Sequence, residues 1–313
     1  MYAIVAHGGA GDWHPDKHPR AREGLTMAVE AGRALLADGA CALDAVCETV
    51  RLLEDNPVFN AGTGGALNID GVVELDASVM TGPDQRGGAV AGLVRVRHPV
   101  DVARAVMEKT DHVLLVGEGA RRFARAVGFE DYDPETPDRR EAWERALERL
   151  RTDGDDWLPR LSTLIRQYPD LTHGTVGAVA VDAQGNTAAA TSTGGVVLKL
   201  AGRVGDSPIL GAGTWADVAG AAGCTGRGEI AMRMLATRHL CSLIAAGHSA
   251  SDAAWNTVRD AAEFGNEIGL IAVDANGGVG AAHDTAAMPH AFATHISPVT
   301  FRVAAEQPSS RAT

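Results

Sequence analysis

Gly174-Thr175 joins the end of a charged stretch to an apolar run, Val176-Gly177-Ala178-Val179-Ala180-Val181. If that peptide bond were cut, Thr175 would supply both a nucleophile and a base. Its hydroxyl would attack, and its freed α-amine would take the proton. Such an amine has an unperturbed pKa of about 7.7–8.0, so a useful fraction is neutral near physiological pH. The cut needs only the same hydroxyl, attacking the Gly174 carbonyl to form an ester that water hydrolyses. Glycine at that position removes bulk and permits strained backbone. By spacing alone the pair reads equally as an ordinary turn ahead of a strand; its neighbours give it weight.

Thr193-Gly194-Gly195 ends a second strand-like run, which places another hydroxyl near Thr175 if the two strands pair. Arg203-Val204-Gly205-Asp206-Ser207-Pro208 offers a guanidinium and a carboxylate three residues apart in a turn. Such a pair suits a zwitterion, with Arg203 clamping an α-carboxylate and Asp206 holding an α-ammonium. The plainer alternative is an Arg–Asp ion pair that stabilises a loop. Cys224-Thr225-Gly226-Arg227-Gly228-Glu229 leads into a helix, where backbone N–H groups face outward. An ordinary glycine-rich helix entry would look the same.

These groups need strands and helices to hold them. Residues 2–6 read as a short buried strand broken by His7-Gly8-Gly9-Ala10-Gly11. Leu25, Ala28, Val29, Leu35 and Leu36 recur at helical spacing from Arg20 to Asp38, with Gly32 on the same face and Gly39 as the stop. A second helix is expected over Ala42 to Leu53 and a third over Val100–Lys109. Strands are expected at Val72 to Met80, Ala89 to Val96 and His112 to Val116. After Thr175 come Val176–Val181 and Thr187–Thr193, joined by Gln184-Gly185-Asn186 as a hairpin turn. Helices over Glu229–Ala246 and Ala250–Phe264 follow, then strands at Gly269–Val273, Val279–Ala281 and Thr300–Val303. Strands, helices and strands again imply packed layers of sheet and helix.

Between about Glu130 and Leu171 the composition turns charged. Thr136-Pro137 reads as a cap and first-turn proline, and Trp143, Ala146, Leu147 and Leu150 share one helical face. Glu and Arg fill the other faces, as on a solvated surface helix with local ion pairs. Charged segments of this kind tolerate a nick. Glu306 to Thr313 read as a frayed tail.

The chain of 313 residues is long enough for a large core in one domain or two, and its net charge of −12 argues against nucleic acid and anionic membrane as partners. The N-terminus lacks the basic leader and long apolar region of a signal peptide, and no run reaches membrane-spanning length. Cys41, Cys47, Cys224 and Cys241 lack CxxC spacing and sit in apolar surroundings, as buried free thiols of a reducing cytoplasm do.

Taken together, the residues resemble the plant-type L-asparaginase and isoaspartyl peptidase family of N-terminal nucleophile hydrolases. The resemblance spans nearly the whole chain from His7-Gly8-Gly9-Ala10-Gly11 onward. It is carried by Asn60-Ala61-Gly62-Thr63-Gly64, Glu74-Leu75-Asp76-Ala77, Gly87 to Gly92, Gly174 to Ala180, Thr191 to Gly195 and Gly202 to Pro208. It implies an α+β fold, a four-layer αββα sandwich in one domain. Self-cleavage would divide this into an α subunit of residues 1–174 and a β subunit of 175–313, with 130–174 as the linker.

The resemblance further implies that Thr175 is nucleophile and base, that Thr193 supports it, and that Asn60 and Thr225 form the oxyanion hole. Arg203 and Asp206 match the substrate clamp, with Gly226 and Gly228 lining the pocket. His7, Gly8 and Gly9 match the glycine-rich loop beside the cleavage site. The carbonyls of Leu53, Glu54, Asn56, Phe59, Ala61 and Thr63 match a loop that wraps a structural sodium ion, with no cofactor required for catalysis. L-Asparagine and β-aspartyl dipeptides are the implied substrates, and a cytoplasmic homodimer of cleaved αβ units the implied assembly. Arg227 departs from the smaller or neutral residues usual there; a cation would narrow the pocket mouth, favour an acidic peptide partner or point into solvent.

Within the fold the rivals are a glycosylasparaginase, which usually carries Asp where this chain has Gly174, and a threonine protease. An uncleaved binding or scaffold relative is the non-enzymatic rival. An α/β-hydrolase would need G-x-S-x-G, and Gly247-His248-Ser249-Ala250-Ser251 lacks the last glycine.

Overall fold

The computed structural model describes residues 1–152 and 174–305. In chain order its strands are β1 (Ala3–His7), β2 (Leu75–Thr81), β3 (Gly87–Leu93), β4 (Leu114–Val116), β5 (Thr175–Val181) and β6 (Thr187–Thr193). Then follow β7 (Thr214–Ala216), β8 (Gly220–Gly226), β9 (Ile268–Asp274), β10 (Val279–His283), β11 (His290–Thr294) and β12 (Ser297–Arg302). The helices longer than one turn are α1 (His18–Ala37), α2 (Ala42–Glu54), α3 (Pro99–Lys109), α4 (Gly117–Ala126) and α5 (Pro137–Thr152). After Thr175 they are α6 (Gly228–Met234), α7 (Ala236–Ala245) and α8 (Ala250–Ala261).

Among the described residues the strands form two sheets. The larger runs β12-β11-β1-β5-β6-β2-β3-β4, the smaller β10-β9-β8-β7. β5 shows why its sequence is apolar throughout. Val176, Ala178 and Ala180 pack with Leu25, Val29, Val46 and Val50 of α1 and α2. The alternate residues Val179 and Val181 meet Ala221, Ile271 and Val273 of the smaller sheet. A strand has period two, so one buried on both faces needs apolar residues at every position. On its far side the smaller sheet packs Cys224, Leu270 and Ala272 against Leu240, Ala254 and Val258 of α7 and α8. Fully burying a leucine or valine contributes about 1.5–3 kcal/mol.

Most expected elements are present, with shifted ends. The expected helix over 229–246 is broken into α6 and α7, because Leu235 adopts the left-handed conformation (φ 53°). The strands β7, β8 and β11 and helix α4 were not expected. β8 reads Gly-Ala-Ala-Gly-Cys-Thr-Gly, which lacks the large β-branched residues that mark strands. Cys41 is exposed, a correction to the expectation of four buried thiols; Cys47, Cys224 and Cys241 are buried and free. The tail from Glu306 and the linker residues 153–173 lie outside the described residues. No helix among the described residues is long and apolar enough to cross a membrane.

Candidate active site

Thr175 opens β5 and Thr193 closes β6, and the antiparallel register sets them directly opposite each other. A tight hairpin fixes that register: the Asp182 carboxylate accepts from the Gln184 and Asn186 amides, and Gly185 takes φ 83°. Thr175 Oγ1 donates to Thr193 Oγ1 at 3.2 Å, and Thr193 Oγ1 donates to the Gly174 carbonyl at 2.9 Å. The Gly195 amide donates to Thr193 Oγ1 at 2.9 Å, which fixes that hydroxyl between its neighbours. Thr175 is only 5% exposed.

Asn60 stands against the same bond. A Cβ on Gly174 would lie 2.5 Å from Asn60 Cβ, so only glycine fits there without a shift. The Asn60 amide is aligned at both ends: Nδ2 donates to the Gly195 carbonyl at 2.6 Å, and Oδ1 accepts from the Ala66 amide at 2.7 Å. One Nδ2 proton remains for the site. On the other side the glycine-rich loop presses on the bond. A Cβ on Gly9 would come 3.1 Å from Gly174 Cα and 3.2 Å from the Thr175 nitrogen, and Gly9 has φ 113°. Gly8 is pinned by its N–H, which donates to the Pro289 carbonyl at 2.9 Å. The next residue, Ala10, donates its amide to Thr225 Oγ1 at 3.1 Å, leaving the Thr225 hydroxyl proton available.

His7, the last residue of β1, is buried, and neither ring nitrogen reaches a hydrogen-bond partner. Burial lowers its pKa to about 3, the Thr175 backbone opposing only in part, so the ring stays neutral. It fills the space over Gly177, where a Cβ would meet Nε2 at 2.6 Å.

Arg203 and Asp206 converge without pairing to each other. Arg203 donates from Nη2 to Glu229 Oε1 at 2.9 Å. Asp206 Oδ2 is buried with no hydrogen-bond partner. Burial raises the Asp206 pKa to about 6, against the pull of Arg203 and with a further push from Glu229 and Asp76. Gly228 leaves room for both: a Cβ there would lie 2.8 Å from Asp206 Oδ1 and 3.1 Å from Arg203 Nη2. Gly226 (φ 109°) ends β8 two residues earlier, where a Cβ would collide with the Glu267 carbonyl. Arg203 also reaches back toward the threonines, its Nη1 lying 3.5 Å from the Cβ position of Gly195.

A family model described as asparaginase matches residues 1–300. The chain belongs to the asparaginase family. It is 48% identical over 297 residues to a plant-type L-asparaginase of Pyrococcus furiosus, covering 93% of this chain and 96% of that one. Against the isoaspartyl peptidase of Escherichia coli the identity is 42% over 297 residues, with 92% of each chain covered. The human isoaspartyl peptidase/L-asparaginase is 42% identical over 253 residues, 80% of this chain and 79% of that one.

Three residues that support the site of this asparaginase-family chain were given no site role from the sequence, although Asp76 lies in a stretch that carried the resemblance. Asp76 on β2 accepts from the Gly92 amide at 2.8 Å and from the Gly205 amide at 3.0 Å, which ties the Arg203–Asp206 turn to the large sheet. Lys199 is fully buried, donates from Nζ to the Glu74 carbonyl at 2.8 Å and stands beside Gly195. Burial lowers its pKa. Arg139 on α5 donates from Nη2 to the Phe59 carbonyl at 2.9 Å. For Asp76 the signal was a lone carboxylate inside an apolar strand.

Arg227 is engaged, with Nε 3.7 Å from Glu267 Oε2, rather than free in solvent. Ser249, the serine of the incomplete esterase motif, caps α8 by accepting from the Asp252 amide at 3.1 Å. The loop expected to wrap sodium closes on itself through Thr63 N to Glu54 O at 2.8 Å, Phe59 N to Asn56 O at 3.1 Å and Asn56 N to Leu53 O at 3.2 Å. The Glu54 and Asn56 carbonyls each keep a second lone pair, while Leu53 O also accepts from the Asp55 amide; carbonyl oxygens of this kind fit a hard cation. The Phe59 oxygen takes one donor, from Arg139, and likewise keeps a second lone pair.

Proposed function

We propose that this chain is a self-processing amidohydrolase, cleaving the side-chain amide of L-asparagine and the β-linkage of isoaspartyl dipeptides through a β-aspartyl ester on Thr175. The observation that carries this reading is the hydroxyl chain from Thr175 through Thr193 to the Gly174 oxygen. When Thr175 Oγ attacks the Gly174 carbon, its proton passes to Thr193, whose own proton passes to the Gly174 oxygen. Collapse of the adduct returns that proton to the Thr175 nitrogen as the C–N bond breaks. Water then hydrolyses the ester to a Gly174 carboxylate and a free Thr175.

The released α-amine becomes the base for turnover. It takes the Thr175 hydroxyl proton as Oγ attacks the substrate's side-chain carbonyl, and gives it to the departing ammonia or amino acid. Asn60 Nδ2 and the Thr225 hydroxyl donate to the oxyanion. Water releases aspartate from the ester. Both substrates present the same α-carboxylate to Arg203 and the same α-ammonium to Asp206, so one clamp serves both.

The clamp has a pH dependence of definite sign. Asp206 holds an ammonium only when ionised, and its pKa is raised to about 6. KM for L-asparagine is therefore expected to rise as pH falls through 6, while protonation of the Thr175 amine acts on kcat at higher pH. Steady-state kinetics across that range separate the two. An unchanged KM down to pH 5 would remove Asp206 from ammonium binding.

The same reading takes the fold as a four-layer αββα sandwich, with the helix clusters outside and the two sheets within. It takes residues 1–174 and 175–313 as subunits of one domain, the cleaved pair forming a cytoplasmic homodimer. The Leu53, Glu54, Asn56, Phe59, Ala61 and Thr63 carbonyls would hold a sodium ion, which stiffens the loop ahead of Asn60 and takes part in no chemical step. Intact mass spectrometry of fresh and incubated protein tests the central claim. Two chains are expected, one ending at Gly174 and one starting at Thr175; a chain that stays whole refutes it.

A further inference from the structure

Helix α5 belongs to the segment that ends at Gly174, and its composition reads as a solvated surface helix. The structure seats one of its faces on loops that build the site. Trp143 Nε1 donates to the Asn68 carbonyl at 2.8 Å, and Arg140 Nη2 donates to the Gly71 carbonyl at 3.0 Å. Ala146 and Leu147 pack with Ile69, Val197 and Leu198, on the approach to Arg203. Arg139 reaches furthest, to the carbonyl of Phe59, the residue before Asn60.

Arg139, Asn60, Gly174 and Gly8 line one cavity of about 50 Å³, with Asp12 and Lys17 as its other charged groups. Burial lowers the Arg139 pKa, and the charge that opposes this is its chain neighbour Asp138. A guanidinium carries five N–H donors, and the Phe59 bond uses one. Arg139 is half-buried, and withdrawing such a charge from water even in part is costly unless something in the fold uses it. The element beside it that develops negative charge is the Gly174 carbonyl.

We infer that Arg139 is a positioning residue for self-cleavage: it holds the Phe59-Asn60 peptide against Gly174 and places a positive charge in the cavity that Gly174 lines. The inference rests on the self-cleavage reading above. In that step the Thr175 Oγ–Gly174 C bond forms and the Gly174 C–Thr175 N bond breaks, with transient negative charge on the Gly174 oxygen until the Thr193 proton reaches it. A cation across a small cavity favours that charge. Turnover differs, because the acyl group then comes from substrate held at Arg203 and Asp206. Asn60 meanwhile keeps its bonds to Gly195, Ala66 and Gly194. Arg139 thus separates processing from hydrolysis.

The test is a processing time course, by intact mass spectrometry, on full-length wild type, Arg139→Ala and Arg139→Lys. L-Asparagine turnover is measured per processed molecule of each. The alanine variant is expected to process about tenfold more slowly or worse, the scale of one charged hydrogen bond. Turnover of its processed molecules falls much less than processing does, because Asn60 keeps its bonds to Gly195 and Ala66. The lysine variant recovers part of the processing rate, and millimolar guanidinium speeds the alanine variant but not the wild type. An alanine variant that processes at the wild-type rate overturns the inference. So does one whose processing and turnover fall together without response to guanidinium, since a merely structural loss moves both. A wild-type chain that never splits is a different failure, and sinks the self-cleavage reading itself.

Discussion

Replacing Thr175 with alanine is expected to leave one unprocessed chain that hydrolyses neither L-asparagine nor a β-aspartyl dipeptide. The argument is geometric. Thr175 Oγ1 heads a hydrogen-bonded chain that ends on the carbonyl of the bond to be cut, and Asn60, Gly9 and Thr193 leave that bond little room to move. Removing the hydroxyl removes the attacking atom from both reactions, and losses of about 10⁴-fold or more in kcat follow removal of a nucleophile. Thr175→Ser keeps the hydroxyl and loses only the methyl, so it is expected to process and turn over, more slowly than threonine. Mass spectrometry and an ammonia-release assay on both variants decide the matter. An alanine variant that still splits or still releases ammonia places the nucleophile elsewhere.

Asn60→Ala should be the next most severe change. Its amide is clamped at both ends by Gly195 and Ala66, so the free Nδ2 proton is aimed before substrate arrives. A pre-aimed donor works because it needs no reorganisation as charge develops, and losing one costs about 10²–10³ in kcat. KM should change much less, since the proposed clamp, Arg203 and Asp206, would hold the substrate's other end. The same variant loses buried hydrogen bonds, so kcat must be taken per processed, folded molecule. A kcat near the wild-type value in that fraction would take Asn60 out of the oxyanion hole.

Strands were legible where burial on both faces forced long apolar runs, as in β1, β5 and β9. They were illegible where small residues did the packing. β8 is built from glycine, alanine, cysteine and threonine because it lies between the large sheet and the α7 and α8 layer. Small side chains carry little strand signal by themselves. The single expected helix over 229–246 failed at Leu235, whose left-handed turn no local composition announces. On α5 the apolar face was legible, but its docking was not, because Arg139 and Arg140 act through carbonyls far along the chain.

The sequence by itself determined the chemistry's inventory. A threonine after glycine, a second threonine at a strand end, an Arg–Asp turn and glycine-rich loops are local patterns, and local patterns survive without coordinates. Only the tertiary structure decided how they meet. The β5–β6 register sets Thr175 against Thr193, Asp76 ties down the clamp turn from another strand, and Gly228 lets Arg203 and Asp206 face one point. It also decided which charges are spent on each other. Arg203 bonds Glu229 and leaves Asp206 Oδ2 without a partner, while the half-buried Arg139 turns to the Phe59 carbonyl. These pairings span from 18 to 129 positions of chain, and spacing along the chain does not encode which of them form.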